Sequence, residues 1–174
     1  GLWLLEGTMK DFSSRPQGDR GWAALISAAE KLPAPTRLLD VTDPAFANPA
    51  SMKGAIDAQV KRRRLPPPRT LAGYTRLICA SLGRGHADAM RAFERMTGRA
   101  FRRILMVGGG SKNRLLCQAT ADAAGLPVVS FNLEGTAVGN LASQLIATGA
   151  VKDLATFRRH LAAGLKQKVY SPRG

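Results

Sequence analysis

The sequence predicts an α/β fold, rich in helix, with one short parallel pair of strands. Three observations carry this. Residues 102–149 read as strand, helix, strand, helix, and two strands joined through a helix pair in parallel by a right-handed crossover. Residues 70–97 carry a long helical stripe, Leu71, Tyr74, Leu77, Ile78 and Leu82, resumed by Met90, Phe93 and Met96. Gly98 and Gly125 stand where helices should stop before each strand, glycine being the residue that enters the left-handed cap conformation without strain.

The elements follow in order. Residues 1–11 read as an amphipathic helix with Leu2, Leu5 and Met9 on one stripe and Trp3 beside it. Residues 12–20 are a turn-rich loop, and Trp22, Leu25, Ile26 and Ala29 mark a helix over about 21–31. LPAPTRLLDV extends, because proline and the residue before it resist helix. Residues 42–52 are loop with local turns, and a helix over 51–63 starts at Asn48-Pro49 or at Ser51 as cap. Three prolines at 66–68 break the chain into an extended connector. The organisation is thus an N-terminal set of helices and loops, 1–69, and a segment 70–174 holding a helix and a β-α-β-α unit. Within the long helix Gly83 and Gly85 each weaken it by roughly 1 kcal/mol. Strand 102–107, helix 112–124 with Leu115, Leu116, Ala119 and Ala123 inward, strand 126–131, helix 135–149 and a last helix over 153–165 complete the chain.

With 174 residues the chain suits one domain, and a hydrophobic fraction of 45% is that of a globular protein. No apolar run approaches the roughly 18 residues of a membrane span. The first residues lack a basic leader and a cleavage site and begin inside a helical pattern, so a fragment of something longer is expected. Cys79 and Cys117 sit in apolar helical contexts, without CxxC or metal spacing, and are expected as buried thiols in a reducing, cytoplasmic setting. His86 and His160 are far apart with charged neighbours and are expected to be solvated; no metal site is expected in this chain. The net charge of +14 is spread over many segments, with Lys61-Arg62-Arg63-Arg64 the clearest cluster. With few aromatics for stacking on bases, the surplus reads as a solvated basic surface rather than a nucleic-acid interface.

The most informative stretch is ILMVGGGSKNRLL, residues 104–116. A buried-strand run meets Gly108, Gly109 and Gly110, and Ser111 and Asn113 open the next helix. Bare amides approach an anion most closely where no Cβ intervenes, and the free N–H groups at a helix start favour negative charge. The turn lacks the lysine of a P-loop and the spacing of a dinucleotide fingerprint. Locally it therefore supports either a tight strand-to-helix turn or a phosphate contact. In a parallel sheet ligands lie beyond the carboxyl ends of the strands, which is where this turn stands. No catalytic constellation accompanies it. Asp40, Asp43 and Asp57 read as turn formers or surface charges, Asp122 as outward-facing, Glu134 as the cap of helix 135–149, and Gly139 as a point of close backbone approach.

VGGGSKNRLLCQATADAAGLPVVS followed by EGTAVGNLASQLIATGAV resembles the C-terminal domain of the FGGY carbohydrate kinases. Within that family the likeness is closest to the rhamnulokinases: GLWLLEG is similar to their G-L-W-L-L-Q helix, DPAFANPASM to their D-x-x-F-x-N-P-x-x-M stretch, and Leu77-Ile78-x-x-Ser81-Leu82 to the long helix with its S-L-A core. The resemblance covers nearly the whole chain in one order. It implies an incomplete ribonuclease-H-like (actin-like ATPase) domain on the nucleotide side of a two-domain kinase. Such kinases move the γ-phosphoryl of ATP, with Mg2+, to a sugar hydroxyl, that of L-rhamnulose for the rhamnulokinases. It places Gly109 against ATP with Gly108 and Gly110 allowing the approach, Ser111 within the same turn and Asn113 near the adenosine. Glu6 stands where rhamnulokinases carry a glutamine that reaches the nucleotide; the exchange removes an amide donor and adds negative charge. The family's catalytic aspartate and most of its sugar pocket lie upstream of the part represented here, which implies no catalytic residue in this chain and no kinase activity from it alone. It further implies missing strands, an exposed apolar sheet face or edge, and self-association. Positions 83–85 and Phe131-Asn132 depart from the family pattern. A non-catalytic nucleotide or phospho-ligand module, and a basic nucleic-acid-binding protein, are the two alternative readings.

Overall fold

The computed structural model describes residues 2–13, 15–131 and 133–173. Gly1, at the start of the expected first helix, Ser14, Gly174, and Asn132 of the Phe131-Asn132 departure lie outside them. In chain order the elements are α1 (Trp3–Met9), α2 (Gly18–Glu30), a 3-10 turn (Pro44–Phe46), α3 (Met52–Arg62), α4 (Leu71–Thr97), β1 (Ile104–Met106), a second 3-10 turn (Gly109–Lys112), α5 (Arg114–Ala124), β2 (Val128–Phe131), α6 (Gly135–Ala147), α7 (Leu154–Gly164) and β3 (Gln167–Tyr170).

Four helices start where a side chain accepts an N–H that the first turn leaves free. Ser51 Oγ takes the Gly54 N–H at 2.8 Å, Thr70 Oγ1 that of Gly73 at 3.1 Å, Asn113 Oδ1 that of Leu116 at 3.1 Å, and Asp153 Oδ1 that of Thr156 at 2.7 Å. Gly98 and Gly125 end α4 and α5 in the left-handed conformation, at φ 66° and 69°.

β1 and β2 pair in parallel, Ile104 opposite Val128 and Met106 opposite Ser130. β3, which the sequence did not announce, pairs antiparallel along the other edge of β2, Val128 opposite Tyr170 and Phe131 opposite Gln167. The sheet is thus mixed, in the order β1-β2-β3. Its strand character at 167–170 comes from the partner, since QKVY has only two apolar residues and a strand is stabilised by its cross-strand pairs. Alternate side chains set two faces. Met106 and Val128 turn toward α5 and are buried, whereas Leu105 and Val169, on the opposite face, are 57% and 53% exposed.

The core runs through α1, α3, α4, α5 and the inner sheet face, with Leu5, Ile56, Ile78, Cys79, Cys117 and Val128 fully buried. The helix 70–97 is continuous through Gly83-Arg84-Gly85. Gly83 is not merely a weak point: a Cβ there would lie 2.6 Å from the Ala119 carbonyl carbon, so the glycine lets α4 and α5 cross in close contact. His86 Nδ1 lies 3.0 Å from Thr120 Oγ1, and Arg91 Nη2 donates to the Ala123 carbonyl at 2.9 Å, closing the end of α5.

Several expectations are corrected here. Among the described residues, Gly139 has nothing within 4 Å of where its Cβ would be, so no described backbone approaches it. The close approach expected of it occurs at Gly83. Phe93 and Met96 are exposed, so the buried stripe of α4 ends at Ala87. Past that point the helix outruns the elements that cover it. His86 is half-buried against α5 rather than solvated, and burial holds its pKa below the usual imidazole value. Glu134 precedes α6 but makes no side-chain cap bond. The apolar residues of α6 are largely uncovered, with Ala142 its buried member.

Candidate functional site

β1 ends at Met106, and the chain turns at Gly108 with φ 72° and ψ −162°. That region is essentially reserved for glycine, because a Cβ there collides with the backbone. Gly108 N–H donates to the Leu133 carbonyl at 2.9 Å, which ties the turn to the segment following β2. The Gly108 carbonyl accepts Ser111 N–H at 3.0 Å and Ser111 Oγ at 2.7 Å. The Gly110 carbonyl accepts Asn113 N–H at 3.1 Å. The turn is thus a built 3-10 loop leading into α5.

The sequence-predicted site residues divide into two kinds. Ser111 and Asn113 are buried at 6% and 7% exposure, and their side chains build the turn. Asn113 Oδ1 caps α5 and its Nδ2 lies 3.5 Å from Cys79 Sγ. Gly108 and Gly109 instead present open space, with nothing among the described residues within 4 Å of a Cβ placed on either. At Gly110 the nearest atoms to such a Cβ, Leu116 Cδ2 and Met106 Sδ, are 3.8 Å away. The N–H groups of Gly109 and Gly110 have no acceptor within the turn, as the first donors of any helical turn do not, and no other backbone acceptor takes them among the described residues. Lys112, which sequence reasoning passed over, is exposed in the same turn. Its signal was a lone cation one residue beyond the glycine–serine step. The arrangement offers two main-chain donors to an anion, with an exposed lysine in the same turn.

Beneath the turn, Cys79 and Cys117 are free and buried. Burial pushes the Cys79 thiol up to about 12 and that of Cys117 up to about 11. Neither is a thiolate near neutral pH, so neither is a nucleophile. Among the described residues no three His, Cys, Asp or Glu side chains converge as metal ligands.

Glu6 is exposed on α1 and lines a groove of about 320 Å³ with Trp3, Lys10, Asn48 and Met52. A larger groove of about 860 Å³ lies between α2, α4, α5 and β3. The glycine turn lines neither groove, so Glu6 and the turn are not brought together in either. Asp40 and Asp43 are turn formers, as their positions suggested. Asp40 Oδ1 accepts Thr42 N–H at 3.0 Å, and Asp43 Oδ1 accepts Ala45 N–H at 3.0 Å. Asp122 faces outward and accepts Gln118 Nε2 and Arg173 N–H, each at 2.8 Å.

Comparison with known proteins gives the family. The model of the FGGY family of carbohydrate kinases, C-terminal domain, matches residues 1–148. The chain is 35% identical to a rhamnulokinase of Pectobacterium carotovorum subsp. carotovorum, over 99% of this chain and 34% of that protein. It is 32% identical to a rhamnulokinase of Bacteroides thetaiotaomicron, again over 99% of this chain and 34% of the relative. The crystal structure of xylulose kinase from Rhodospirillum rubrum superposes with a TM-score of 0.59 at 21% identity, covering 98% of this chain and 32% of that one. The chain therefore spans about one third of the length of the curated relatives it matches. It belongs to the FGGY family of carbohydrate kinases, and its residues form part of that family's C-terminal domain.

Proposed function

We propose that the chain is the nucleotide-side portion of an ATP-dependent sugar kinase acting on L-rhamnulose. The observation that carries this is the open glycine turn: among the described residues, Gly109 has no neighbour within 4 Å of a Cβ position, and the Gly109 and Gly110 N–H groups have no backbone acceptor. An ATP phosphate there accepts both N–H groups, with Lys112 adding positive charge. Ser111 and Asn113 act on the nucleotide only through the turn they shape. The likeness to rhamnulokinases along 99% of the chain supports the choice of sugar.

Phosphoryl transfer is positioning plus electrostatic stabilisation around an acceptor hydroxyl, a base and a metal. The Mg2+ that accompanies ATP in this family finds no convergent ligand set among the described residues, and no step is assigned to a metal held by this chain. The proposal is binding without turnover by the chain alone. Calorimetry with MgATP and with unrelated sugar phosphates, paired with an assay on L-rhamnulose, tests it. Selective binding of adenine nucleotide without product is the expected result. Turnover at rates of about 1–100 per second, or equal binding of any sugar phosphate, contradicts it.

A further inference from the structure

We propose that the large groove between α2, α4, α5 and β3 is a second anion site, for a small organic phosphate, separate from the glycine turn. Its volume of about 860 Å³ is that of a small-molecule pocket. Five basic side chains line it, Arg76, Arg84, Arg114, Lys168 and Arg173, against two acids, Glu30 and Asp122.

The acids are already engaged. Glu30 accepts two bonds from Arg114 Nε at 2.9 and 3.0 Å and one from Nη2 at 2.8 Å. Asp122 is held by Gln118 and the Arg173 N–H. Arg84 pairs with Asp88, outside the groove, at 3.0 Å. Among the described residues, Arg76, Lys168 and Arg173 have no acidic partner. Among the described residues, three cations without an acidic partner thus line one concavity.

Arg76 makes the case specific. Its Nε is sealed from solvent with no hydrogen-bond partner among the described residues. A buried donor left unpaired is destabilising, and such an orphan calls for a partner, a water or an ion. A guanidinium is matched by a phosphate, which accepts from two of its N–H groups at once. Across the groove Lys168 Nζ lies 5.2 Å from the centre of the Tyr170 ring. The ring steadies the ammonium through a cation–π contact and leaves its N–H groups for an oxygen acceptor. Pro35 and Leu38 add apolar lining for the body of a phosphate ester. The concave form suits a small ligand rather than a nucleic-acid strand. Lys168 and Arg173 also lie beyond residues 1–148, the span matched by the family model.

The test titrates the full chain with inorganic pyrophosphate at low ionic strength, read by calorimetry and by the NMR signal of the Arg76 side-chain Nε–H. The expected result is saturable binding that moves this signal and the backbone amides of Lys168 and Tyr170. Arg76→Gln and Lys168→Gln each weaken affinity about tenfold, as loss of a charge-assisted contact does. The triple change Lys61→Gln, Arg62→Gln, Arg63→Gln leaves it unaltered. Lys168 stands on an edge strand, so its variant informs even if Arg76→Gln folds poorly. No binding, no movement of the Arg76 and Lys168 signals, or equal weakening by the distant triple change overturns the proposal. The ATP reading is judged separately, on the Gly109 and Gly110 amides.

Discussion

Gly83 of α4 and Ala119 of α5 meet backbone to backbone: a Cβ on Gly83 would fall 2.6 Å from the Ala119 carbonyl carbon and 2.7 Å from its oxygen. This contact sets the distance between the two helices that support the glycine turn. In an ordinary helix interior, Gly→Ala stabilises by about 0.5–1 kcal/mol. Gly83→Ala reverses the sign, because the helices must part, and loses about 1–3 kcal/mol as overpacked cores do. Gly139→Ala in α6, where the space is open, gives the ordinary gain. Urea denaturation of both variants checks the pair.

Gln59 is a buried polar anchor that sequence reasoning did not single out. Its Oε1 accepts Asp40 N–H at 2.8 Å, and its Nε2 donates to the Asp40 carbonyl at 3.1 Å and to Asp43 Oδ2 at 2.7 Å. These bonds fasten the irregular segment before the first 3-10 turn to α3. Gln59→Leu keeps much of the volume and leaves the Asp40 peptide groups unpaired. A loss of about 2–3 kcal/mol is expected, with less ordered amide signals over residues 38–43.

His86 gives the fold an acid limit. Burial disfavours its charged form, so its folded pKa is lowered. Below the unfolded value of about 6.5 the unfolded state binds a proton that folded His86 resists, and stability falls as pH falls. His86→Gln flattens the part of this slope between about pH 7 and 5. Denaturation midpoints for both proteins across that range measure the effect.

The two thiols respond at the opposite end. With Cys79 pushed up to about 12 and Cys117 up to about 11 by burial, the folded state keeps protons that the unfolded thiols release near pH 8.5. Their contribution to stability is complete below that value and is lost as pH rises through the folded values. Near neutral pH the native chain should resist a thiol-specific disulfide reagent, and both cysteines should react on unfolding. Rapid labelling of the folded chain contradicts this.

What the sequence made legible was local. Ser51, Asn113, Gly98 and Gly125 announced helix ends because capping involves residues within one turn, and the GGG step announced its bend for the same reason. Other features depend on residues far apart in the chain. β3 is a strand only beside β2. Gly83 reads as a weak helix residue until α5 crosses it. The inward turn of Asn113 depends on Cys79, 34 positions earlier. The basic groove joins residues from four elements that no spacing rule connects. The expectation of an incomplete sheet came from the family resemblance rather than from periodicity.

The most direct test of the account is an amide-resolved NMR titration of the chain with MgATP. Phosphate contact at the open turn predicts that the Gly109 and Gly110 amide signals shift saturably, and that Gly109→Val abolishes the response while the chain stays folded. Shifts confined to Arg76, Lys168 and Tyr170, or none with adenine nucleotide at any concentration, would contradict the assignment of this turn as the nucleotide contact.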